Sequence, residues 1–130
     1  MTLRNAPEIT LSRPPRVQAY EPDPTLMDRW NAGLRAADRD GTTDAARVIS
    51  MLDVIGAGGW TGEGVTARRI AAALRAITAD NITVDINSPG GDFFEGVAIY
   101  NLLRADPRRV SVRILGLAAS AASVIAMAGD

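Results

Sequence analysis

"ITVDINSPGGDFFEGVAIYNLLRAD", residues 82–106, carries the pattern that decides the fold. Its first seven residues are rich in β-branched types, with apolar Ile82, Val84 and Ile86 at alternate positions, which predicts a strand. "PGGD", residues 89–92, is a turn, because Gly90 and Gly91 let the backbone reverse sharply with no Cβ in the way. "FFEGVAIYNLLRAD" then takes up helical spacing, with Phe94, Val97, Tyr100 and Leu103 or Leu102 predicted to face inward. Pro107 marks the break after it.

The same alternation extends to both sides. "ARVISMLDVIG", residues 46–56, reads as a strand that ends in the glycine-rich loop "GAGGWTGEG". "VTARRIAAALRAIT", residues 65–78, spaces Val65, Ile70, Ala73, Leu74 and Ile77 as one helical face, with Thr66 placed to cap it. "RVSVRILGL", residues 109–117, is a third strand, and "SAASVIAMAG", residues 120–129, opens a helix of small residues. Strand and helix alternate three times. This predicts an α/β fold of repeated strand–helix units, with a mostly parallel sheet covered by helices.

The first 45 residues differ. "RPPRVQAYEPDP" holds four prolines, "PTLMDRWNAGLRAADRD" offers a short amphipathic stripe of Leu26, Trp30, Leu34 and Ala37, and "DRDGTTD" is a turn. The expected organisation is an N-terminal arm or linker over 1–45, partly disordered, ahead of one domain over 46–130.

Composition narrows the chemistry. A net charge of -1 gives no reason to expect a nucleic-acid partner. No apolar run approaches the roughly 18–20 residues of a membrane span, and no secretory signal opens the chain, so a cytoplasmic location is expected. There is no Cys and no His, and all 14 basic residues are Arg. Thiol chemistry, histidine ligands and a Lys base are therefore excluded within these residues, and no metal or cofactor is implied.

Two strand-to-helix junctions remain as candidate chemistry, since ligands of parallel sheets collect beyond the carboxyl ends of strands. At "INSPGGD" the Gly90 and Gly91 N–H groups lie near the positive end of the following helix, suited to an oxyanion. A plain turn after Pro89 accounts for the same residues. At "LGLAASAAS" Ser120 sits at a helix start, where its Oγ is either a nucleophile or only a cap. Ser123, three residues on, is expected to bond backward to a carbonyl.

Together, "INSPGGDFFEGVAIYNLL" and "GLAASAASVIAMAGD" resemble the ClpP-type serine peptidases of the crotonase-like superfamily. With "DVIG" and "GWTGEGVTARRIAAALRAI", the resemblance is nearest to the ClpP-related head maturation (prohead) proteases of phages and prophages. It runs from about Ile49 to the end. The resemblance implies that Ser120 is the nucleophile and that the backbone N–H groups of Gly91 (with Gly90 beside it) and Ala121 form the oxyanion hole. It also implies that Asp92 and Phe93 lie near an extended peptide substrate. In the family the residue after the nucleophile is often Met; here it is Ala121, and only its main-chain N–H is used.

The family completes its triad with a His and an acidic residue downstream of the serine. This sequence stops ten residues after Ser120 and contains no His. The expectation is a partial chain, inactive alone, with apolar surface uncovered and no sharp cooperative thermal transition. The resemblance further implies a polypeptide substrate such as a capsid or scaffold protein, and a homo-oligomer in the full-length protein. A non-catalytic binding or assembly subunit of the same fold is the alternative reading. An acyl-CoA enzyme of the crotonase type shares the two-amide oxyanion hole, but "NSPGG" with "AAS" in the nucleophile position argues against it.

Overall fold

The computed structural model describes Thr25, Arg29 and residues 31–33, 45–59 and 63–130. A single 3₁₀ turn, Ala45–Arg47, leads into β1 (Val48–Met51). There follow α1 (Ala67–Ala76), β2 (Asn81–Ser88), α2 (Phe93–Ala105), β3 (Arg109–Ala118) and α3 (Ala121–Ala126). The three strands form one parallel sheet in the order β1-β2-β3. The predicted α/β alternation is thus present, and each helix is the crossover or continuation its position in the sequence demands.

β2 is central, and its burial follows from that place. Val84 and Ile86 are fully buried, and so are the polar residues Asp85, Asn87 and Ser88. Each of those polar side chains is satisfied, as burial requires. Asp85 receives two charge-assisted bonds from the Arg113 guanidinium, both 2.6 Å. The core is completed by Ile49 and Met51 of β1, Ile70 and Leu74 of α1, Ile99 and Leu103 of α2, Val110 of β3 and Ile125 of α3.

The helix ends bear out the capping logic. Thr66 caps α1, its hydroxyl accepting from the Arg69 N–H. Asp92 caps α2 by accepting from the Glu95 N–H at 3.0 Å. Glu95 in turn reaches across to accept from the Ala67 N–H in the first turn of α1, at 2.7 Å. Arg108 serves the other end of α1, donating to the carbonyls of Leu74 and Ile77 while paired with Asp106. The Arg108 bonds hold the Asp106 carboxyl below the usual carboxylate range.

The inward face of α2 differs in part from the sequence-based expectation. Leu103 is buried as expected, and Tyr100 and Leu102 pack against the core, but Phe94 is 83 % exposed and the other buried positions are Gly96 and Ile99. Helical periodicity allows several apolar stripes on so apolar a helix. At Gly96 α3 approaches closely enough that a side chain there would force the neighbouring helix to give way. A Cβ built on Gly96 would lie 3.0 Å from the Ala121 Cβ.

The predicted stripe Leu26, Trp30, Leu34 and Ala37 lies outside the described residues. Among those that are described, Asn31 is 1 % exposed and is bonded to the sheet, donating to the Leu52 carbonyl at 2.6 Å and accepting from the Asn87 amide at 2.8 Å. No helix among the described residues is long and apolar enough to cross a membrane.

Candidate active site

The two junctions singled out in the sequence meet at the carboxyl ends of β2 and β3. A Cβ added to Gly90 would stand 2.6 Å from the Ala119 carbonyl oxygen, 2.8 Å from the Ser120 Cβ and 3.0 Å from the Ala121 nitrogen. Gly90 has φ +94°, so the turn needs glycine both for its conformation and for this contact.

The approach depends on an irregularity in the sheet. Ile86 pairs with Ile114, yet Ser88, two residues on, pairs with Ala118, four residues on. β3 therefore bulges opposite Asn87, and the Asn87 Oδ1 accepts from the Leu117 N–H at 2.9 Å to close the gap. The bulge carries the end of β3 beyond the sheet and delivers Ser120 against the Gly90 turn.

Ser120 is the sole non-glycine among the described residues with positive φ, at φ 49° and ψ -126°. These are the angles of the first central residue of a type II′ turn, where glycine is preferred. The turn is closed by the Ala122 N–H donating to the Ala119 carbonyl at 3.0 Å. Ser120 is exposed and its side chain makes no capping bond to α3, so the capping role does not account for it. Ser123 does what its position predicts, its Oγ donating to the Ser120 carbonyl at 2.6 Å.

The backbone donors divide in a definite way. The Gly90 N–H donates to the Ser88 Oγ at 3.2 Å, and the Asp92 N–H to the Ile55 carbonyl at 2.8 Å. The Gly90 carbonyl accepts from the Ile55 N–H, so residues 90–92 lie beside Ile55 as a parallel bridge centred on Gly91. In such a bridge the central residue's own N–H points to the opposite side. The Gly91 N–H has no acceptor among the described residues, and neither has that of Ala121, the first residue of α3. Ala121 is fully buried, where an unsatisfied N–H is rare and calls for an explanation.

Asp92 and Phe93 come directly after and are exposed, Asp92 with its carboxylate engaged at the α2 N-terminus. Phe93 and Phe94 stack edge to face with ring centroids 6.1 Å apart. Sequence reasoning missed Ser88 and Asn31, whose partners are distant in the chain. The run of polar residues at the end of an apolar strand, "INS", was the available signal.

The arrangement offers an exposed hydroxyl with no capping bond on Ser120, followed at once by the Ala121 N–H, with the Gly91 N–H on the turn that Gly90 packs against them; neither N–H has an acceptor among the described residues. That combination serves addition to a carbonyl. No cluster of acidic residues suited to a metal occurs among the described residues.

Comparison with known proteins is consistent with this geometry. The Clp protease family model matches residues 48–130. The "ATP-dependent Clp protease proteolytic subunit 1" of Streptomyces avermitilis is 32% identical over 107 residues, covering 73% of this chain and 48% of that protein. Among solved structures, an asparagine-to-aspartate variant of ClpP1 from Listeria monocytogenes superimposes with a TM-score of 0.56 at 24% identity, over 66% of this chain and 48% of the other. The likeness to that structure is one of fold. The chain spans about half the length of the relatives it matches.

Proposed function

This chain belongs to the Clp protease family, and from that premise we propose that its site is the nucleophile half of a serine-type endopeptidase. The observation that carries the reading is Ser120 itself, exposed and unbonded in a turn conformation that disfavours a side chain, next to the free N–H of Ala121. Ser120 Oγ attacks the scissile carbonyl carbon, and its proton passes to a base. The carbonyl oxygen becomes an oxyanion held by the N–H groups of Gly91 and Ala121. Collapse expels the amine, which takes up the proton, and water then releases the acyl group from Ser120. Asp92 and Phe93 border the path of the peptide.

The base is not among the 130 residues, which contain neither His nor Lys. In this reading the base, and the acid that orients it, are supplied from outside these residues. We place the enzyme with the phage head maturation type, acting in the cytoplasm as a homo-oligomer on a capsid or scaffold polypeptide. "DVIG" and "GWTGEGV" support that narrower reading. Residues 1–45 serve as an arm to the domain 46–130.

A peptidyl boronate tests the site without needing a base for turnover. It is expected to form an adduct on Ser120, seen by NMR as coupled shifts of the Gly91 and Ala121 amides, and lost in Ser120→Ala. Failure of the wild-type chain to form that adduct would overturn the assignment. Peptide turnover by these 130 residues, abolished in Ser120→Ala, would overturn the requirement for an outside base. A non-catalytic subunit remains the second reading. It is favoured if the complete protein has the groove but binds peptides without cleaving them.

A further inference from the structure

Ser88 ties three segments together from a fully buried position. Its hydroxyl donates to the Asp53 carbonyl at 2.6 Å and accepts from the Gly90 N–H at 3.2 Å. Its own carbonyl accepts from the Ala119 N–H at 3.1 Å. A serine hydroxyl has one proton and two lone pairs, so it can give and receive at once. With its proton committed to Asp53, it presents only a lone pair to the turn. That lone pair draws the Gly90 N–H inward.

The bridge to Ile55 turns the Gly91 N–H outward but leaves the Gly90 N–H unengaged, and two adjacent glycines have nearly unrestricted backbones that can rotate that bridge out of register. We propose that Ser88 is a positioning residue that locks this turn. By engaging the Gly90 N–H it holds the strand against Ile55 so that Gly91 stays the outward donor, and through its carbonyl on Ala119 it holds the turn bearing Ser120 and Ala121 beside it. The Asn31–Asn87–Leu117 chain of bonds supports the same joint from the other side of the strand end. The inference rests on the peptidase reading of the site, which gives the Gly91 N–H its task.

Amide hydrogen exchange and peptidyl boronate titration, both followed by NMR on the full chain, test it. In the wild type the Gly90 amide is expected to exchange slowly and the Gly91 amide quickly. In Ser88→Ala, Gly90 exchange should accelerate by about tenfold or more, and the boronate Kd should rise by about tenfold, the scale of one lost buried hydrogen bond. The Gly91 amide should lose its boronate-induced shift while Ala121 keeps its own. General loosening of the fold would move both amides together. Ser88→Thr keeps the hydroxyl and should restore Gly90 protection.

Unchanged Gly90 exchange in Ser88→Ala overturns the proposal, as does a wild-type Gly91 amide better protected than Gly90. A wild type with the expected exchange pattern but no Ser120-dependent adduct overturns the peptidase reading instead.

Discussion

Replacing Ser120 by glycine should make the protein more stable while removing the group on which its proposed activity depends. Ser120 holds φ 49°, ψ -126°, a region where an L-residue's Cβ crowds the backbone. A non-glycine residue held in a sparsely populated region costs about 1–3 kcal/mol. Glycine relieves that strain but adds unfolded-chain freedom worth about 0.5–1 kcal/mol against folding. The side chain makes no capping bond and is exposed, so its removal forfeits almost nothing else. The net gain for Ser120→Gly lies between about 0 and 2.5 kcal/mol and centres on about 1 kcal/mol, or roughly 1 M in the urea midpoint at an m-value of about 1–1.5 kcal/mol/M. Ser120→Ala keeps the Cβ and with it the strain, so it should remain within about 0.5 kcal/mol of the wild type. Urea unfolding of the three proteins, followed by far-UV circular dichroism, makes the comparison. Equal stabilities for the glycine and alanine variants would refute the claim that the nucleophile's seat is strained.

Gly90→Ala should act in the opposite sense. Its Cβ would fall about 0.8 Å inside ordinary contact with the Ala119 carbonyl oxygen, at a residue with φ +94°, for a loss of about 2–4 kcal/mol in the same assay. The inward face of α2 is checked by a pair of variants. Ile99→Ala removes a fully buried side chain and should cost about 2–5 kcal/mol, whereas Phe94→Ala should change stability by less than about 0.5 kcal/mol. Asp106→Asn tests the acid limb of stability. Because hydrogen bonds from Arg108 depress the folded-state pKa of Asp106, its contribution is present above the ordinary carboxylate pKa of about 3.9 and is lost as pH falls through the lower folded value. The gap between wild type and variant should be constant from about pH 7 to 5 and close in stronger acid.

Much of this molecule is written locally. The strand–turn–helix alternation, the Thr66 cap and the backward bond of Ser123 each depend on residues within four positions of one another, and each was legible. The errors and omissions are non-local. On α2 the spacing offered Phe94, Val97, Tyr100 and Leu103 or Leu102, and Leu103 is indeed buried, with Tyr100 and Leu102 packed at the core's edge. Phe94 is instead exposed, and Gly96 and Ile99 are buried, because the neighbour is a helix whose first buried residue, Ala121, needs room that hydrophobicity does not register. Ser88 and Asn87 looked like the polar end of a strand, yet their partners are Asp53, Asn31 and Leu117, between 30 and 56 positions away. At the site the serine and the glycines were visible as residue types. The positive φ of Ser120 and the sorting of Gly90 from Gly91 belong to the backbone, which residue identity only permits.

The contact between Gly96 and Ala121 also bears on how these sequences can diverge. The Ala121 side chain points at α2, while its N–H is the donor the proposed function uses, so in that reading one residue answers to two independent constraints. The proposed chemistry uses no side chain at position 121, but the spacing of the two helices does depend on it. Positions 96 and 121 should therefore drift as a linked pair. A bulkier residue at 121 would become admissible only when the helix facing it retreats, and enlarging both at once would be forbidden even though neither side chain touches a substrate.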